Sequence, residues 1–217
     1  MDFDWSYTVT AMPILLNGLE FTISIAVFGI ALGFILGVLA GLSRCSHNKI
    51  LYHIAGIYIG IIRGTPLMVQ AIYLYFAIPV MLDFNLPVLP AGILAIGLNS
   101  GAYIAEIVRG AIQSVDLGQY EAGTCLGLSK FQIYWGIVFP QAFRLMLPSL
   151  GNQFIISLKD TSILTVIGAT EMTHQAMKAV SASFKTVEVY TALALMYLLL
   201  CTLLSMILKR VEGNMKL

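Results

Sequence analysis

Charged residues are scarce in this chain of 217 residues: they account for 11% of the sequence, against 59% hydrophobic residues. Soluble domains carry about 25% charged residues, so the composition excludes a surface solvated mainly by water. The 12 Lys and Arg residues nearly balance the 11 Asp and Glu residues and are scattered along the chain. Because nucleic-acid binding needs a basic stripe of phosphate contacts, no nucleic-acid partner is expected. The remaining solvent is membrane lipid, and the chain is predicted to be an integral membrane protein.

Cysteine is also rare. Cys45, Cys125 and Cys201 form no C-x-x-C pair and are odd in number, so neither a zinc site nor a complete disulfide framework is indicated. The three histidines have no second ligand at metal spacing, and no metal site is predicted. No nucleophile, base and orienting group can be assembled from the sequence, so the chain is not expected to be an enzyme.

The start of the chain lacks the features of a secretory signal. It reads MDFDWSY, with acidic residues where a signal peptide needs positive charge, and the first apolar run is too long for a cleaved segment. We expect this stretch to remain as a helix.

Five uncharged or nearly uncharged stretches are long enough to cross a hydrocarbon core of roughly 30 Å, which takes about 20 residues. The predicted spans are residues 18–43, 50–82, 90–113, 145–170 and 188–209. The second is a long helix that we expect to bend near Arg63-Gly64-Thr65-Pro66. The fourth is irregular, because Pro140 and Pro148 interrupt the helical pattern. The chain is predicted to be a single all-α domain, residues 1–217.

The basic residues choose the orientation of these spans, because cytoplasmic loops carry an excess of Lys and Arg. With the C-terminus inside, most basic flanks are cytoplasmic: Arg44, Lys49, Arg109, Lys130, Lys209, Arg210 and Lys216. The outer side then holds fewer basic residues together with three acids: Lys178, Lys185, Asp2, Asp4 and Asp83. The predicted orientation is N-terminus outside and C-terminus in the cytoplasm.

Glycine recurs at every fourth position of the first span, at Gly29, Gly33, Gly37 and Gly41. Small residues at this spacing let another helix approach closely, and close packing drives helix association in lipid. The alternative is that glycine is simply common in membrane helices. Four glycines in register favour the packing interpretation.

The longest polar stretch, QSVDLGQYEAGTCLGLSKFQIYW, lies on the predicted cytoplasmic side. Its residues Glu121-Ala122-Gly123, Gly127, Ile137 and Pro140 resemble, with matching spacing, the EAA loop in the permease subunits of bacterial ABC importers. Gly123 stands where alanine is usual, and Phe139 where leucine is usual. Ser129 and Gln132 have the spacing of a capping box that would start a helix.

The resemblance covers nearly the whole chain. The stretches RGTP (63–66), NSGAYIAEIVRG (99–110) and GNQFIISLKDTS (151–162) look like the polar amino acid permeases, most of all those for glutamine and arginine. It implies the type I ABC importer permease fold in the bacterial inner membrane and a translocation pathway for a polar amino acid. It also implies coupling to a partner through a loop at about residues 114–140, carried by Glu121, Ala122, Gly123, Gly127, Leu128 and Pro140.

The partners implied by the family are ATP-binding cassette ATPase subunits, a second permease chain, identical or similar, and an extracellular or periplasmic amino acid-binding protein. The sequence contains no G-x-x-x-x-G-K-[ST] motif, so it cannot cradle nucleotide phosphates by a P-loop. We therefore expect no cofactor in this chain, with ATP and Mg bound by the partner ATPase.

Polar residues within spans are functional candidates, because they are costly in lipid. One face of the third span carries Asn99, Tyr103, Glu106, Gly110 and Gln113 at helical spacing. We interpret Asn99, with its neighbour Ser100, as a substrate contact. Glu106 can pair with Arg109, three residues on, and this pair is interpreted as structural.

A second candidate set is the run Lys159, Asp160, Thr161 and Ser162, because an amino acid is a zwitterion and needs partners of both signs. A helix break there would also free backbone groups for binding. The alternative is that the two charges neutralise each other or hold a bend. Gln70 and Gln153 are weaker candidates. A competing function is an ion-coupled secondary transporter with Glu106 and Asp160 as ion sites.

Overall fold

All regular structure in residues 4–215, the part of the chain that this computed structural model describes, is helical. The α-helices in chain order are α1 (Ser6–Arg44), α2 (Lys49–Arg63), α3 (Leu67–Ile72), α4 (Ile78–Leu82), α5 (Val88–Gln113), α6 (Leu117–Cys125), α7 (Lys130–Ile133), α8 (Phe139–Asp160), α9 (Met172–Ser183) and α10 (Thr186–Met215). Single π-helical segments join α3 to α4 (Tyr73–Ala77) and α7 to α8 (Tyr134–Val138), and a 3-10 helix (Thr161–Ile167) continues α8. The all-α prediction is confirmed.

Among residues 4–215, three helices are long and apolar enough to cross a membrane: α1, α5 and the Thr186–Arg210 part of α10. The combination of α2 with the Leu67–Leu82 segment also qualifies, but its two arms are bent by 103°. The bend falls where the sequence placed it. Pro66 precedes α3 with an extended backbone, ψ 141°, which turns the chain out of the direction of α2.

The fourth predicted span, residues 145–170, forms two consecutive helices. The first, α8, has 22 residues. It carries several polar side chains that lower its hydropathy: Gln141, Arg144, Asn152 and Gln153. Its buried face packs against α5 in a cluster that contains Met146 and Leu150. By length and composition, three helices, or four with the bent pair, suit a membrane span in the described residues, and the count of five stays a prediction.

The glycine stripe of α1 is the contact surface for α5. Its four glycines are buried, and they face, in chain order, Ile96, Ser100, Ile104 and Val108. A Cβ atom on Gly37 would come within 2.5 Å of the Ile104 side chain and 2.9 Å of the Gly101 carbonyl oxygen. The two backbones are therefore too close for any larger residue, and the packing interpretation is confirmed.

Asp4, just before α1, is hydrogen-bonded to residues around the start of α10. The backbone N–H of Asp4 donates to Glu188 Oε1 at 3.0 Å, and Lys185 Nζ donates to Asp4 Oδ2 at 2.7 Å. The hydrogen bond from Lys185, with a second from Ser6, lowers the pKa of Asp4 to about 2. Asp2 and Lys216, which entered the prediction of orientation, lie outside the described residues.

Candidate functional site

A groove of about 530 Å³ opens between the end of α2, the middle of α5 and α8. Its lining combines charged, aromatic, hydroxyl and amide side chains with two apolar residues: Arg63, Tyr103, Glu106, Ile107, Pro148, Ser149, Asn152 and Gln153. Polar groups that converge in a groove on apolar helices are candidates for a binding site, because each would be costly in lipid.

Glu106 is the centre of the charges in this groove. Arg109 donates to the Glu106 carboxylate from Nε, to Oε1 at 3.1 Å and Oε2 at 3.3 Å, and from Nη2 to Oε2 at 2.7 Å. Arg63 approaches from α2, with Nη1 3.6 Å from Glu106 Oε2. The Arg63 guanidinium also lies 5.4 Å from the centre of the Tyr103 ring. Two guanidinium groups and one carboxylate leave a net positive charge, which attracts an anionic group.

Gln70 and Asn99 face the break between α2 and α3 rather than the groove. Gln70 Nε2 donates to the carbonyl oxygens of Ile62 at 2.7 Å and Thr65 at 2.9 Å. Asn99 Nδ2 donates to Gln70 Oε1 at 3.2 Å. The two residues are only 9% and 8% exposed. Asn99, predicted to contact substrate, therefore has its amide directed at another buried amide.

Ser100 lies in the α1–α5 interface. It is 1% exposed, faces Gly33, and donates from Oγ to the carbonyl oxygen of Gly97 at 3.4 Å. Its position serves helix packing and does not line the groove.

The run from Lys159 to Ser162 lies beyond the groove, at the end of α8. Lys159 is exposed, Asp160 is partly buried and Thr161 is fully buried. The hydroxyls of Thr161 and Ser162 donate to the carbonyl oxygens three residues earlier, each at 2.8 Å. The helix tightens from α to 3-10 at Thr161 and does not break, so the freeing of backbone groups that a break would bring is not observed.

Sequence reasoning missed how Arg63 and Asn152 take part in the groove. Both lie in the stretches that resemble the permease family, but Arg63 reaches Glu106, and Asn152 lines the same groove, only because α2 and α8 both pack on α5. A polar face on α8 could have been predicted from residue spacing. Four groove residues recur at spacings of three and four positions: Pro148, Ser149, Asn152 and Gln153.

The segment from residues 114 to 140 forms a helical hairpin. Gly127 follows α6 with φ +75°, a conformation that favours glycine. The N–H groups of Gly127 and Leu128 donate to the carbonyl oxygens of Thr124 at 3.0 Å and Gly123 at 3.1 Å, the two hydrogen bonds of a Schellman motif. Ser129 then starts α7 with the predicted capping box.

One face of this hairpin is buried and the other is free. A Cβ atom on Gly123 would lie 2.8 Å from the Ile133 side chain, so glycine at the third position of the motif lets α7 pack on α6. Glu121 and Ala122 are exposed, and Leu126 is 78% exposed. Pro140 is also exposed, directly after the π-helical segment Tyr134–Val138 that joins α7 to α8.

Known proteins resemble this chain over its full length. Residues 29–217 match the family described as binding-protein-dependent transport system inner membrane component. The glutamine transport system permease protein GlnP of Escherichia coli (strain K12) is 44% identical, with 100% of both chains covered. The arginine transport system permease protein ArtQ of Bacillus subtilis (strain 168) is 35% identical, over 100% of this chain and 99% of the relative.

Solved structures agree. The crystal structure of an amino acid ABC transporter with histidines superposes with a TM-score of 0.91 and 34% identity, covering 99% of this chain and 100% of the other. An inward-facing structure of the methionine ABC transporter MetNI superposes with a TM-score of 0.78 at 18% identity, covering 94% and 97% of the two chains, which is a likeness of fold.

Proposed function

The chain belongs to the binding-protein-dependent transport system inner membrane components, and on that basis we propose how its groove and its exposed hairpin carry out transport. It is the transmembrane subunit of a polar amino acid ABC importer in the bacterial inner membrane, and it has the type I importer permease fold. The full-length similarity to amino acid permeases carries this conclusion. Such membership argues against the ion-coupled alternative, so uptake is expected to need ATP and to continue when ion gradients are collapsed.

The hairpin of α6 and α7 is proposed to receive motion from a partner ATPase, which binds ATP and Mg. Its exposed residues around Glu121 and Leu126 present a short helix to a groove of that partner, the mode of recognition in which an apolar helix face lies in a cleft. In the proposed orientation this hairpin is cytoplasmic and the N-terminus is outside. A second permease chain completes the pathway, and an outer binding protein delivers the amino acid.

The groove is proposed to hold the amino acid during passage. Arg63 Nη1 lies 3.6 Å from Glu106 Oε2, which Arg109 also contacts. An incoming zwitterion can replace that contact, with its carboxylate on Arg63 and its ammonium on Glu106, while Asn152 and Gln153 offer amides to its side chain. The net positive charge of Arg63, Arg109 and Glu106 opposes a cationic side chain, so a neutral amino acid such as glutamine is favoured over arginine.

Neutralising Arg63 tests the groove. In the purified complex of the permease and its ATPase, without the binding protein, Arg63→Gln is expected to raise the half-saturating concentration for amino acid binding about tenfold, since one charge-assisted hydrogen bond is lost. Lys49→Gln, an exposed residue at the start of α2, is the control and should leave that concentration unchanged. An Arg63→Gln protein with normal half-saturation would remove the groove from the pathway.

Straining the turn of the hairpin tests coupling. Gly127→Val must place a β-branched residue at φ +75°, so we expect the turn to distort and ATP-driven uptake to fall at least tenfold. Gly136→Val is the matched control, because a side chain there meets open space. Unchanged uptake in Gly127→Val, or labelling of Glu121→Cys by an impermeant maleimide from outside intact cells, would contradict the proposed role.

A further inference from the structure

The two arms of the bent segment, α2 and Leu67–Leu82, are hydrogen-bonded to adjacent residues of α5. On the α2 side, the Tyr58 hydroxyl donates to the Leu98 carbonyl oxygen at 2.8 Å. On the α3 side, Asn99 Nδ2 donates to Gln70 Oε1 at 3.2 Å. The 103° bend between the arms is therefore held from α5 at two adjacent positions.

The Gln70 side chain also hydrogen-bonds backbone groups at the break between α2 and α3. The last carbonyl groups of a helix have no partners within the helix, and in an apolar setting an unsatisfied carbonyl is costly. Gln70 Nε2 donates to the carbonyl oxygens of Ile62 and Thr65 and lies 3.0 Å from the Thr65 hydroxyl. One side chain thus links the end of α2, the start of α3 and, through Asn99, α5.

Arg63 lies between the two carbonyl groups that Gln70 holds. Its backbone direction is therefore set by Gln70, whereas its side chain, 43% exposed, turns into the groove toward Glu106 and Tyr103. We propose that the buried Gln70–Asn99 amide pair is a positioning device that sets the substrate affinity of the groove by holding Arg63 in place. The proposal rests on the substrate role of the groove. It assigns Asn99 an indirect role in place of direct contact with substrate.

The proposal predicts that Gln70 acts only through Arg63. In the same complex of permease and ATPase, Gln70→Leu is expected to raise the half-saturating concentration for amino acid binding about fivefold to tenfold. In the double variant Gln70→Leu with Arg63→Gln, half-saturation should equal that of Arg63→Gln alone, because residues in one network are not additive. A general loss of stability would instead multiply the two effects, and that result would overturn the proposal.

Two further variants serve as a replacement and as a control in this test. Should Gln70→Leu fail to assemble with its partners, Asn99→Ala takes its place in the same cycle, since it removes only the bond between α5 and Gln70. Gln175→Leu, an amide of α9, is the matched control, and it should leave half-saturation unchanged in both backgrounds.

A direct measurement of the bend separates this proposal from the function on which it rests. Spin labels at Ile61 and Val80, which are 60% and 84% exposed, lie on opposite arms of the break. With labelled chains diluted by unlabelled ones, the distance distribution should broaden in Gln70→Leu and stay narrow in Gln175→Leu. An unchanged distribution would overturn the positioning role alone. Normal half-saturation in Arg63→Gln would instead remove the groove from transport, and with it the effect of the pair on affinity.

Discussion

Two of the neighbours of helix α5 hold it in different ways. Along one face, α1 approaches so closely that four glycines are required, and no hydrogen bond between side chains is needed. Along another face, the bent segment from α2 to α3 is held by the hydrogen bonds of Tyr58 and of the Gln70–Asn99 pair. Arg63, at the end of α2, lines the charged groove. One contact depends on shape and the other on a few directed polar atoms.

The difference has a functional meaning. Contact between backbones excludes any addition of volume, so we expect α1 and α5 to move as one body. A few hydrogen bonds can be released and formed again at modest cost, because each contributes about 1 kcal/mol net. The bent segment is therefore the better candidate for a part that shifts during transport, with α1 and α5 as its frame.

The largest effect is expected from Gly37→Leu. The new side chain would overlap Ile104 and the Gly101 carbonyl, so we expect a loss of at least about 3 kcal/mol in stability and little assembled protein. Thermal unfolding and size-exclusion chromatography in detergent measure both. Gly60→Leu is the matched control, because nothing lies within 4 Å of a side chain at that position of α2. Equal stability and assembly of the two variants would contradict the idea that α1 and α5 are held by close packing.

A smaller effect is expected from Tyr58→Phe. It removes the hydroxyl that donates to Leu98 while the ring stays, so about 1 kcal/mol of stability should be lost with assembly intact. Thermal unfolding of the complex, with Tyr190→Phe as the exposed control, measures the change. A loss as large as that of Gly37→Leu would show that the polar contact is no weaker than the packed one.

The smallest effect on stability is expected from the exposed ion pair between Asp4 and Lys185, next to the start of α1. The pKa of Asp4 in the folded chain, about 2, lies below its ordinary value of 3.8, so its pairing with Lys185 stabilises the fold above pH 3.8 and is lost as pH falls toward 2. The difference in unfolding temperature between the wild type and Asp4→Asn should therefore be largest near neutral pH and shrink below about pH 4. A difference independent of pH would assign the effect to something other than this carboxylate.

Several elements followed from local sequence pattern. The glycine stripe, the bend at Gly64-Thr65-Pro66 and the capping box at Ser129 each depend on residues close in the chain, whose conformational preferences act locally. The motif around Glu121 was recognised by its resemblance to the EAA loop of the family.

The candidate site was less predictable. Helical spacing placed Asn99 on the same face as Tyr103 and Glu106, yet Asn99 lies against Gln70 of another helix, while Arg63 from α2 joins Glu106. Periodicity gives the face of a helix but not the residue that packs against it.

By itself, the sequence determined that this chain is embedded in lipid and where its helices can pack closely, because composition and glycine spacing are local quantities. It also identified, by resemblance, the segment around Glu121 that matches the EAA loop. Only the tertiary structure decided which polar side chains meet. The partners of Gln70 and Glu106 lie on separate helices, and their encounter depends on how α2, α5 and α8 pack together.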